Sequence, residues 1–449
     1  MSHLRPVALL GTAAVMLTVA GCTTFIVPSV IVPTVYRPRD DHAAYSRALA
    51  ALEIDRTALG TDWIASGERA LAMPIAVSSS VFKIGYFSPL QPDAAGFLFT
   101  AEEGKTIEVT VSIDGDERMT VFADLFRAED GGSLHHVASA GADDRRLEFE
   151  TRRPDTFILR IQPELLRGGR YFLTIKTDAS LGFPVKGKNT DAVWSFFGDP
   201  RDGGAREHHG VDIFAPRGTP VLSPANGEVV HVRWNRLGGN TVGVWDAPRR
   251  MYYYFAHLDE QKVRVGQRVK IGDIVGTVGD TGNAAGGLPH LHFGMYADMR
   301  DPIDPFHFIA HVAGTLGPVE VDEAPIGLWS RTISYDTPLF PGVEATGTRD
   351  LIDAATPVLV IGAERTRYRV LLPSGVAGYV NAGAIEPAAK PLAMKRTIGT
   401  PVRARPDGMS EIVTELPYGE EVPVLGWSDT YALALINGTP MWVDRATLE

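Results

Sequence analysis

The chain of 449 residues holds a single cysteine, Cys22, so no intrachain disulfide can staple it. It also lacks a basic excess: Lys and Arg number 43 against 54 Asp and Glu, a net charge of −11. A nucleic-acid partner requires a basic surface, and this balance argues against one. Otherwise the acidic balance serves solubility. Past the first 21 residues no apolar run is long enough to cross a bilayer. Helix-period stretches are missing from about 190–312, which excludes the metal-binding helix of H-E-x-x-H peptidases. What remains is a chain of ordinary hydrophobic content, too long for one core, which predicts about three domains.

The organising stretch is Glu207-His208-His209-Gly210-Val211-Asp212-Ile213. Tyr254-Phe255-Ala256-His257-Leu258 follows it, and then Pro289-His290-Leu291-His292-Phe293. In extended backbone, residues an even number apart project to one face. His208 and Asp212 are four apart, and His290 and His292 two apart, so each pair shares a face. Two such pairs can close around one ion. Imidazole and carboxylate suit Zn²⁺, and a catalytic zinc takes three protein ligands, keeping a fourth position open. His257 brings the candidates to five, more than such an ion uses. A hydrolase also needs groups to move protons and to hold an oxyanion.

These motifs (H-x-x-x-D, a lone His after an aromatic strand, then H-x-H) resemble those of the M23 (LytM/lysostaphin-type) zinc metallopeptidases. Thr281-Gly282-Asn283 leads into the last of them, and the resemblance covers roughly residues 190–312. It implies that His208, Asp212 and His292 bind Zn²⁺. His257 and His290 become the catalytic pair, one accepting a proton from water and one steadying the tetrahedral oxyanion, with neither role assigned. His209 would face the opposite way in a strand and is read as a rim residue. Asn240 and Asp280 are read as turn residues, and His231, His307 and His311 receive no role. The implied activity is a zinc metalloendopeptidase acting on the peptide cross-links of bacterial peptidoglycan. Some M23-like proteins have lost metal ligands and serve as wall-binding activators of an amidase. None of the five positions departs from the pattern here, so the enzyme is the expectation and the silent activator the alternative.

At the other end of the chain, residues 1–21 read as a signal peptide with a basic start and an apolar run from Val7 to Ala20. Val19-Ala20-Gly21-Cys22 resembles the bacterial lipobox, which makes Cys22 the lipidation site. Thr23 stands where an Asp would retain a lipoprotein at the inner membrane. The expected location is therefore the periplasm, anchored by lipid in the outer membrane. A protein there would meet directly cross-linked stem peptides, which points to the D-alanyl–meso-diaminopimelate bond. The partners expected are peptidoglycan, the membrane through the anchor, and regulatory wall enzymes.

Residues 23–40, with Pro28, Pro33 and Pro38, suit an extended tether. His42 to Leu71 predicts one or two short helices, with Gly60 as the break. From Val81 to Val185 short strands recur. Ile107, Val109, Val111 and Ile113 alternate cleanly, and the spacing predicts a small antiparallel sandwich. His135 and His136 fall in a Gly- and Asp-rich stretch read as a solvated loop. The last 120 or so residues repeat at an offset of 63: Tyr368 recurs as Tyr431, and Tyr379-Val380 as Trp442-Val443. Units of this rhythm resemble bacterial SH3-like domains, with a linker from Glu386 to Lys395. Arg365, Arg367 and Arg369 alternate on one expected strand face, read as solvated.

The expected fold is thus mainly β and multidomain. Residues 1–21 form a lipoprotein signal peptide and 22–75 a tether with short helices. A β-sandwich-like domain spans 76–188 and an all-β peptidase domain 189–315. Two small SH3-like β-barrels occupy 326–387 and 388–449.

Overall fold

The computed structural model describes residues 40–114, 119–129, 131–141, 145–311 and 316–449. The expected signal peptide, the expected lipidation site Cys22 and nearly all of the expected tether lie outside the described residues. The first described elements are helices Asp41–Ala51 and Ala58–Ala72. Asp40 caps the first by accepting from the Ala43 amide, and Thr57 caps the second by accepting from the Gly60 amide. Gly60 therefore does not break the helical run. It sits in the first turn of the second helix, where a Cβ would come within 2.0 Å of the Ile54 carbonyl oxygen. The break falls earlier, at Leu52–Thr57. Trp63, almost fully buried, packs against Leu49 and Phe122 and donates its indole N–H to the Pro163 carbonyl.

Two sheets then face each other. One runs in the order Ile75–Ala76, Ala95–Ala101, Asp155–Pro163, Val121–Ala128, Leu134–Ser139. The other contains Val81–Phe87, Gly169–Ala179, Lys105–Asp114 and Arg146–Glu150. Ile107, Val109 and Val111 are buried at alternate positions, as their spacing predicts, and meet Phe97, Leu125 and Leu159 of the facing sheet in one core. His135 and His136 are on a strand, not in a loop. His136 Nε2 lies 2.8 Å from Ser139 Oγ, which donates to the buried Asp124.

The tail does not repeat its sequence period in its strand pairing. The second copy closes a barrel from Ala393–Arg403, Ile412–Trp427, Tyr431–Ile436 and Thr439–Asp444. The first copy adds Pro357–Glu364, Arg367–Leu371 and Ala377–Asn381 to the edge of the second sandwich sheet, which with Trp329–Thr332 and Ile385–Pro387 has nine strands. The seam is Ile84 opposite Ala363 and Gly85 opposite Gly362. A Cβ at Gly362 would meet the Ile84 carbonyl oxygen at 2.6 Å, so the approach needs glycine. The expected linker is also shorter: Ile385–Pro387 pairs with Trp329–Thr332, and Ala393 already begins the barrel. Nor do the three arginines share an open strand face. Arg365 is in the hairpin turn, with positive φ, and pairs with Glu344. The Arg367 guanidinium lies 3.7 Å from the centre of the Phe340 ring.

The region from Val193 to Ile303 builds its own ten-stranded sheet. Its main path is Val193–Ser195, Val211–Phe214, His290–Ala297, Met251–Gln261, Gly239–Asp246, Gly227–Asn235, Arg268–Val269. Val211, Ile213, Leu291, Phe293, Tyr253 and Phe255 all point into one core. Because side chains alternate along a strand, that choice commits Asp212, His290, His292 and Tyr254 to the opposite face.

The seam between sandwich and tail rests partly on a buried charge pair. Lys83 and Glu364 are each 5% exposed and hydrogen-bonded to one another, and Lys83 Nζ also donates to Tyr379 Oη at 2.8 Å. Glu364→Leu strands a buried ammonium and is expected to cost about 3–5 kcal/mol in urea denaturation, with Lys83→Met/Glu364→Leu recovering most of it. An equal loss in the single and double variants would show that the pairing is not the source.

Candidate metal centre

Three elements deliver the site. Asp212 and His292 are direct cross-strand partners on Val211–Phe214 and His290–Ala297, and His290 is opposite Phe214 two residues along. His208 precedes the strand, and the chain bends at Gly210 between His208 and Asp212. The two thus converge across a bend, not along one continuous extended face as their spacing alone predicts. A Cβ at Gly210 would meet the Phe293 carbonyl oxygen at 2.5 Å and His292 Cε1 at 2.8 Å, so the bend can nest against the His292 ring only without a side chain.

His208 Nδ1 lies 2.8 Å from the Phe196 carbonyl oxygen, which can only accept, so Nδ1 carries the proton and Nε2 turns a lone pair inward. That Nε2 is 3.0 Å from Asp212 Oδ1 and 2.9 Å from His292 Nδ1, and Asp212 Oδ1 is 3.0 Å from His292 Nδ1. Three electron-pair donors thus form a nearly equilateral triangle. The donors of a tetrahedral zinc site, with bonds of about 2.0–2.1 Å, are spaced by about 3.3 Å, so the triangle fits such an ion after widening by a few tenths of an ångström. Among the described residues this is the cluster of His, Cys, Asp and Glu able to hold a metal. Burial pushes the Asp212 carboxyl up, but the two imidazoles beside it outweigh this and hold it well below the usual carboxylate range. Burial pushes His292 down, against the pull of Asp212, which favours the neutral ring a metal requires.

His257 and His290 flank the triangle. Their rings are 5.0 Å apart, and His257 is 6.0 Å from the His292 ring. His257 Nδ1 donates to the Thr281 carbonyl and His290 Nδ1 to the Leu288 carbonyl, each at 2.8 Å, so both keep a lone pair on Nε2. Burial brings the His257 imidazole down to about 4. His257 also has φ of +60°, a left-handed conformation that costs a non-glycine residue about 1–3 kcal/mol. It is held by its own amide on the Gly238 carbonyl at 2.7 Å and by Thr281, whose hydroxyl donates to Leu258. Thr281, noted in the sequence only as a lead-in to the last motif, is thus the residue that orients His257.

The five side chains line one cavity of about 540 Å³. Trp194 stacks on Phe214, and Phe214 on His290, with centroid distances of 4.6 and 5.0 Å. His209 is exposed beside Phe197, as a rim residue should be. Asn240 and Asp280 bond elsewhere, Asn240 to the Asp259 carbonyl and Asp280 to Arg217. Arg201 is among the lining residues that the sequence reading did not single out. Arg201 Nη2 donates to Asp212 Oδ2 at 2.6 Å and to Ser195 Oγ at 2.6 Å. No spacing rule marks it, because it arrives through a hairpin of Pro200–Arg201 with Arg206–Glu207, closed by Gly203 and Gly204 at positive φ.

Comparison with known proteins points to the same stretch. Residues 206–305 match peptidase family M23. An L-Ala–D-Glu endopeptidase of Bacillus subtilis is 41% identical over 124 residues, 26% of this chain and 38% of that protein. The glycyl-glycine endopeptidase ALE-1 of Staphylococcus capitis is 41% identical over 87 residues, 19% of this chain and 24% of that protein. The peptidoglycan DD-endopeptidase ShyC of Vibrio cholerae is 37% identical over 94 residues, 21% of each chain. The matched stretch therefore spans less than two fifths of each of these relatives. With the fold, the cavity and the motif order in agreement with that match, residues 206–305 are a domain of peptidase family M23.

Proposed function

We propose that this chain is a zinc metalloendopeptidase that hydrolyses peptide cross-links of peptidoglycan. The observation that carries the reading is the triangle of His208 Nε2, Asp212 Oδ1 and His292 Nδ1, with two further imidazoles on the wall of the same cavity. Two imidazoles and one carboxylate are a donor set that suits a catalytic zinc. The names of the three relatives, all endopeptidases and one a peptidoglycan DD-endopeptidase, support the reaction and the substrate class. The D-alanyl–meso-diaminopimelate bond is the finer proposal, and it rests on the lipobox-like Val19-Ala20-Gly21-Cys22 and the periplasmic location that follows from it.

Zinc held at the triangle would polarise the scissile carbonyl and lower the pKa of water to about 7. The chain's own groups do the rest. His257 and His290 both present a bare Nε2 because their Nδ1 protons are committed to backbone carbonyls. Either ring therefore starts as an acceptor for the proton of the attacking water. Once protonated, that Nε2 becomes a donor, able to steady the tetrahedral oxyanion and then to protonate the leaving amine. The Trp194–Phe214 stack gives the cavity an apolar wall against which His290 packs.

Purified protein is expected to contain one zinc per chain, to lose activity to a chelator and to regain it with zinc. The double variant His208→Ala/His292→Ala should be zinc-free by elemental analysis, and undiminished zinc would sink the ligand assignment. His257→Ala and His290→Ala should each keep zinc while the release of stem peptides from purified peptidoglycan falls by about 10²–10⁴-fold. Should the zinc-loaded parent cut no wall substrate yet stimulate an amidase, the silent-activator reading takes its place. Loss of zinc in His290→Ala would instead undo the division between ligand and catalytic histidine. For the anchor, Cys22→Ala is expected to leave the membrane fraction or keep its leader. A parent protein that carries no acyl label contradicts lipidation.

A further inference from the structure

We infer that Arg201 is a positioning residue that confines Asp212 to one-oxygen ligation and so keeps a coordination position open; this rests on the metal-site reading above. Asp212 has two oxygens with different partners. Oδ1 belongs to the triangle, whereas Oδ2 accepts from Arg201 Nη2 at 2.6 Å. A carboxylate beside a cation with an open position tends to swing its second oxygen onto the ion. That closes the position which water or a scissile carbonyl needs. A charge-assisted hydrogen bond to Oδ2 opposes the swing.

The guanidinium is suited to this because it is itself held. The same Nη2 donates to Ser195 Oγ at 2.6 Å, and Ser195 donates to Asp199 Oδ2 at 2.8 Å. Asp199 Oδ2 is fixed in turn by the Phe196 amide at 2.8 Å, and the Asp199 carbonyl accepts from the His208 amide. Ser195 is also the cross-strand partner of Asp212, so Arg201 is clamped between two adjacent strands. The Phe196 carbonyl of this turn fixes the His208 tautomer. One short segment, 195–201, therefore sets both the ring orientation of His208 and the free oxygen of Asp212. The positive charge adds a second effect. It draws electron density from the carboxylate, which leaves the metal a stronger Lewis acid than Asp212 alone would. Lysine offers a charge without the planar fork and reproduces the bridge only in part.

The test replaces zinc with cobalt, whose visible absorption is strong in four-coordinate sites and weaker in five-coordinate ones. The full chain would be compared with Arg201→Met, Arg201→Lys and Ser195→Ala, each titrated with Co²⁺ alone. Arg201→Met is expected to keep one cobalt per chain, to lose visible band intensity and to yield its metal to a chelator less readily. Arg201→Lys should regain part of the lost intensity, and Ser195→Ala should show a smaller loss than Arg201→Met. Because these two keep the charge or the arginine itself, they decide the matter even if Arg201→Met folds poorly. An unchanged band in all three variants overturns the inference while leaving the metal site intact. Loss of cobalt binding in an Arg201→Met protein that is folded by circular dichroism also overturns it, since the arginine would then build the site and not restrict it. If the parent takes up no cobalt, the metal-site reading fails, and this inference with it.

Discussion

The site depends on one antiparallel register, Asp212 opposite His292. That register is set by apolar neighbours. Val211, Ile213, Leu291 and Phe293 are all essentially inaccessible and face one core. A slip of one residue would turn Leu291 or Phe293 towards the cavity and bury a histidine among them, at the desolvation cost of an unpaired polar group. Core burial therefore does the geometric work of bringing two donor side chains to the same point. The bend at Gly210 then adds the third donor, His208, from outside the strand.

Around that pair, the main chain holds the polar groups. Three of the four imidazoles around the cavity are fixed by a backbone carbonyl: His208 by Phe196, His257 by Thr281, His290 by Leu288. Carbonyls of the main chain cannot rotate away, so the lone pairs of Nε2 are aimed by the fold and not by side chains with their own freedom. The left-handed backbone of His257 belongs to the same design, since its local cost places a ring that no regular strand residue could place there.

The sequence made much of this legible, and for reasons that can be named. Asp212, His290 and His292 sit in short apolar strands whose period of two is readable, and their motif order, with His257 between them, singles out one family. Alternation likewise exposed the strand Lys105–Asp114 and its buried face. Other features carry no periodic signal. Arg201 reaches Asp212 through a glycine-closed hairpin, a tertiary contact invisible to spacing. Gly60 reads as a breaker locally but is needed for close approach to Ile54. His135 and His136 read as loop because glycine and aspartate surround them, yet their strand is stabilised by a neighbour across the sheet, Phe126 and Arg127. The tail repeat was readable as sequence. What its first copy pairs with was not, because the strand that receives it is some 281 residues earlier, the separation of Lys83 and Glu364.

That separation has a consequence for synthesis. The strand Val81–Phe87 is complete early, but its partner across the seam is among the last segments made. At a translation rate of about 5–20 residues per second, the edge stays open for on the order of tens of seconds. During that interval the exposed edge is a template for pairing with another nascent chain. The peptidase domain is meanwhile an excursion between the two halves of a sheet that has not yet closed. Lys83, on the strand face that also carries Val81 and Phe87, gains its carboxylate partner only when Glu364 arrives.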